Sequence, residues 1–65
     1  NKMIYKVYMS SGQPLAIEAS KVQTDPNTGV QLLDEEGNIV AFFYPGQANA
    51  VFPESSVVEA ELVEE

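Results

Sequence analysis

The sequence contains no cysteine, no histidine, no arginine and no tryptophan. Without cysteine, neither a disulfide nor a thiolate–metal staple can hold the chain. Without histidine, it lacks the commonest metal ligand and the usual general base. Only three cations, all lysine, stand against ten acids. Direct nucleic-acid binding needs cations to displace counterions from phosphates, so this composition argues against it. Long hydrophobic runs are missing as well. The longest extends over a few residues, so no segment is expected to cross a membrane. No basic-then-apolar leader is visible at the start. A cysteine-free chain is compatible with the cytoplasm, which is the expected location.

What is present describes one small β domain. The 65 residues are read as a single unit, 1–65. A chain of this size buries only about 60% of its unfolded surface, so its core is thin. An apolar content of 45% is ordinary for a folded domain and too high for a disordered one. The formal charge of −7 is unevenly placed. Residues 1–33 carry Lys2, Lys6, Lys21, Glu18 and Asp25, a sum of +1. Residues 34–65 carry eight acids and no base, a sum of −8. The acids keep a small domain soluble. They would also steer a basic protein toward it.

Turn signals recur at short intervals: Ser10–Pro14, Asp25–Gly29, Glu35–Asn38 and Pro45–Asn49. Met3–Ser10 alternates, with Met3, Tyr5, Val7 and Met9 on one face and Ile4, Lys6, Tyr8 and Ser10 on the other. That is a strand. Leu15–Thr24 also alternates until Val22 breaks parity, which predicts a bulge or sharp bend at Ser20-Lys21. Asp25-Pro26-Asn27-Thr28-Gly29 is a turn: Asp bonds the backbone ahead, Pro presets φ, and Gly accepts a positive φ. Val30–Asp34 is a third strand, and Asp34–Asn38 a type I hairpin turn with Gly37 in the left-handed position. Ile39–Tyr44 is a fourth strand, apolar on both faces. Ile39, Ala41 and Phe43 point one way, and Val40, Phe42 and Tyr44 the other.

The tail has two readings. Ser56 and Glu59 fit a capping box. Val58, Ala60 and Leu62 alternate with Glu59 and Glu61 as a strand with one wet face would, and strand is favoured. Pro53–Ser56 then forms a short 3₁₀ turn before it. The expected fold is all-β, a five-stranded antiparallel meander with a bend in its second strand. This order of segments resembles an SH3-like or Sm-like small barrel. The resemblance implies an architecture and no family.

The chemistry that these residues offer is sparse. Asp34-Glu35-Glu36-Gly37-Asn38 superficially matches part of a calcium loop, but lacks the alternating ligands, the later bidentate acid and the flanking helices. No histidine is present to activate a serine, and no glycine-rich phosphate loop occurs. No catalytic residue, metal or cofactor is expected. Six aromatics remain, and without cations they make a poor stacking platform for single strands. Phe42, Tyr44, Phe52 and Tyr8 are the candidate interface residues, since aromatics anchor interfaces. Glu54, Glu59, Glu61, Glu64 and Glu65 form the candidate acidic surface. The expected function is a non-enzymatic module that binds protein, including a second copy of itself as a homodimer. The alternative is an acidic phage or mobile-element inhibitor whose carboxylates mimic nucleic-acid phosphates against a basic host protein.

Overall fold

The structure is a computed structural model that describes residues 2–56. Six strands and one 3₁₀ turn follow in order: β1 (Met3–Met9), β2 (Leu15–Ala19), β3 (Lys21–Asp25), β4 (Gly29–Leu33), β5 (Ile39–Phe43), β6 (Ala48–Pro53) and η1 (Glu54–Ser56). They form two antiparallel three-stranded sheets, ordered β2-β1-β6 and β3-β4-β5. The all-β expectation holds. The count of five strands does not, for two separate reasons.

The first is the bend. The long second segment breaks at Ser20 and serves both sheets, as β2 beside β1 and β3 beside β4. The Ser20 N–H keeps the pairing going by donating to the Leu33 carbonyl at 2.7 Å. The break lies where the parity of Val22 places it. The second reason is β6. The turn signal runs to Asn49 and the short 3₁₀ turn is expected from Pro53, yet Ala48–Pro53 pairs with β1 through Tyr5↔Pro53, Lys6↔Phe52 and Val7↔Val51. The expected strand at Val58–Leu62 lies outside the described residues.

Closure of the barrel also fails among the described residues. The chain leaves β5 through Tyr44-Pro45-Gly46-Gln47. The Gln47 N–H donates to the Tyr44 carbonyl at 3.0 Å and Gly46 takes φ +88°, which makes a type II turn. This turn sends β6 to β1 rather than back along β5, so the two sheets stay separate. The tip of β1 fastens the turn: the Ser10 N–H donates to the Gln47 carbonyl at 2.8 Å, and the Ser10 hydroxyl to the Gly46 carbonyl. The 3₁₀ turn falls at Glu54–Ser56, one residue inside the expected span, and the Ser56 hydroxyl closes it by donating to the Pro53 carbonyl at 2.7 Å.

The core lies between the sheets. Tyr5, Val7 and Ala19 from one sheet meet Leu32 and Phe43 from the other, with Ile17, Val22, Val30, Ala41 and Val51 around them. Leu32 and Val7 are fully buried. Of the aromatic triplet, Phe43 faces inward. Ala41 follows it, but Ile39 does not. The register shifts between Leu32 and Leu33, so that Ala41 and then Ile39 oppose them, and Ile39 is left exposed.

Two turns fix the ends of β4. At one end the Asp25 carboxylate accepts the N–H groups of Asn27 at 2.7 Å and Thr28 at 3.3 Å. Gly29 then has φ +106°, and a Cβ there would stand 2.1 Å from the Phe43 carbonyl oxygen. Only glycine satisfies both conditions. At the other end Gly37 takes the expected positive φ, with its N–H donating to the Asp34 carbonyl at 3.1 Å.

Candidate functional site

The outer face of the β3-β4-β5 sheet is set by register. Gln23 opposes Gln31, and Gln31 opposes Phe42. Residues directly opposite in an antiparallel pair share a face, and so do residues two apart on one strand. A row Gln23–Gln31–Phe42 therefore lies beside a row Asp25–Gly29–Tyr44. Contacts agree with this. The Phe42 and Tyr44 rings pack edge to face, with centroids 5.0 Å apart. The Tyr44 carbonyl carbon would be 3.2 Å from a Cβ on Gly29.

Tyr44 is the most exposed large apolar side chain among the described residues, at 65%. Its backbone is nonetheless pinned: its N–H donates to the Gln47 side chain at 2.8 Å, and its carbonyl accepts from the Gln47 N–H. Phe42 is 39% exposed, and Val40 and Ile39 continue the apolar surface toward the start of β5. The sequence does suggest two apolar faces on this strand. The structure assigns them as Phe43 inside and Phe42 with Tyr44 outside.

A depression lies at the β3 and β4 end of those rows. It is about 360 Å³, lined by Gln23, Thr24, Asp25, Thr28, Gly29 and Gln31. The sequence marks these residues as parts of turns and strands only. The signal that could have found the depression is a glycine flanked, across the sheet, by residues with long side chains. The Gln23 and Gln31 carboxamides make no hydrogen bond among the described residues.

The second candidate pair lies elsewhere. Tyr8 and Phe52 sit on the outer face of the other sheet, where Phe52 opposes Lys6 and Tyr8 opposes Ala50. Their rings stack at 5.6 Å with an interplanar angle of 26°. Phe52 is half-buried and Tyr8 exposed. The four interface candidates thus form two separate aromatic pairs on opposite sheets. Of the candidate acidic residues, Glu54 is exposed on η1, and Glu59, Glu61, Glu64 and Glu65 lie outside the described residues.

The first hairpin acid is occupied by the backbone. The Asp34 carboxylate accepts the N–H groups of Asn38 at 2.8 Å and Glu36 at 2.9 Å. Those bonds, that from Asn38 foremost, hold its pKa below the usual carboxylate range. The loop thus uses its first carboxylate on turn geometry. Among the described residues no three acidic side chains converge on a point that could hold a metal ion. No helix among them is long and apolar enough to cross a membrane. Comparison of the chain with protein-family models, with characterised proteins and with solved structures finds no match.

Proposed function

We propose that this chain is a non-enzymatic protein-binding module and that it binds through the outer face of β5. The observation that supports this is the Phe42–Tyr44 pair: two aromatic rings, exposed, packed edge to face, on a backbone fixed by the Pro45-Gly46 turn. A pre-organised aromatic surface loses little side-chain entropy on binding. Aromatics are also the residues that most often dominate binding energy. The Tyr8–Phe52 stack is the weaker candidate, since Phe52 is already half covered. The phosphate-mimic alternative needs a spaced array of carboxylates. Of its proposed surface Glu54 is exposed on η1, and the other four members lie outside the described residues.

The test is Phe42→Asp combined with Tyr44→Ser, examined by light scattering and thermal melting. A folded variant that has lost an association seen in the native chain supports the reading. A folded variant with unchanged association removes it. Unfolding of the variant would show that these side chains belong to the core, and would equally count against it.

A further inference from the structure

We propose that a second copy of this chain docks on this face, with the Tyr44 ring of each copy entering the depression over Gly29 of the other. The inference rests on the reading that the outer face of β5 binds protein, and it names the occupant.

Shape is the first argument. The face carries a projection and a hollow side by side. Tyr44 stands 65% exposed, and its carbonyl carbon lies 3.2 Å from where a Gly29 Cβ would be. The hollow of about 360 Å³ opens over that same glycine. A two-fold axis parallel to the strands, passing between the two features, carries each Tyr44 over the partner's hollow. Such an isologous contact uses one patch twice and closes on itself. A partner of another kind would need both a projection for the hollow and a socket for Tyr44, which a second copy already carries.

Charge is the second argument. The chain carries −7, so two copies repel over most of their surfaces. The two rows Gln23–Gln31–Phe42 and Asp25–Gly29–Tyr44 hold a single charge, on Asp25. One Asp25 oxygen already accepts the Asn27 and Thr28 N–H groups. A basic partner finds little to pair with here, whereas two copies meeting through this patch bring only their Asp25 carboxylates into the contact, and salt screens the repulsion between the rest. The Gln23 and Gln31 carboxamides, free among the described residues, offer both donors and acceptors to an incoming phenol hydroxyl. A polar socket of this kind suits tyrosine better than phenylalanine.

The experiment uses sedimentation equilibrium on the full chain and three variants, with circular dichroism to confirm folding. Tyr44→Ala removes the projection and keeps the hollow. Gln31→Trp fills the hollow and keeps the projection, and Gln23→Trp on the edge strand replaces it if the first does not fold. Losing a central tyrosine costs about 30-fold in affinity, so removing it from both copies weakens the dimer by roughly 1,000-fold. Each variant alone should then be a monomer of 7.1 kDa at concentrations where the native chain is dimeric. Mixed together, the two should form a heterodimer, because one intact projection meets one intact hollow. A native dimer that survives Gln31→Trp, or folded variants that fail to associate when mixed, would overturn this mode while leaving the face as an interface. A native chain that stays monomeric at about 1 mM would overturn the second copy as occupant and leave the face to another protein. A native dimer indifferent to both Phe42→Asp and Tyr44→Ser would overturn this inference and the functional reading together.

Discussion

Single residues decide more of this fold than its small core would suggest. Gly29 begins β4, admits the Phe43 carbonyl and lines the hollow. Ser20 marks the bend, and its hydroxyl is buried with no hydrogen-bond partner among the described residues. A buried hydroxyl left unpaired costs about 1–3 kcal/mol. Ser20→Ala should therefore raise the denaturant midpoint with an unchanged slope, and a lower midpoint would show that the hydroxyl has a partner. Asp34 sets a pH dependence. Its folded pKa lies below the ordinary 3.8, so its contribution is fully present above that value and is lost as pH falls through the folded pKa. Asp34→Ala should lower the melting temperature at neutral pH, and the gap to the native chain should narrow below about pH 3.8. A gap that stays constant down to pH 2 would mean that the carboxylate charge plays no part.

At the scale of elements, legibility followed alternation. Met3–Ser10 reads as a strand because Tyr5 and Val7 point in while Lys6 and Tyr8 do not, and the structure places them so. The bend at Ser20 was legible from the parity of Val22, and the Asp25 turn from the chemistry of its first and last residues. Strand β6 was not legible. Ala48, Asn49 and Ala50 have weak strand preference, and the register shift between Tyr8 and Met9 hides the period. Pairing with β1, a non-local effect, makes it a strand. The hollow was equally hidden, because it depends on which residues stand opposite one another across three strands. Strand β5 gives the sharpest contrast for mutation. Phe43→Ala opens the core and should cost about 3–5 kcal/mol, enough to unfold a domain of this size. Phe42→Ala, on the outer face, should leave the monomer's midpoint nearly unchanged, since exposed substitutions usually stay within about 0.5 kcal/mol. Equal losses in urea titrations of the two variants would place both rings in the core.

The whole molecule is a thin two-sheet domain with its acids weighted to the second half of the chain and one nearly neutral aromatic face. Association through that face should strengthen as salt screens the net charge of −7. Capture of a basic partner by carboxylates would weaken under the same change. Binding of a second copy through the Phe42–Tyr44 face is read out by a dilution series of ¹⁵N-correlated spectra at low and at physiological salt. Such docking should give concentration-dependent shifts centred on Gln31, Phe42 and Tyr44 with Gly29, larger at the higher salt. Spectra that do not change with concentration, or shifts centred on Tyr8 and Phe52, would contradict it.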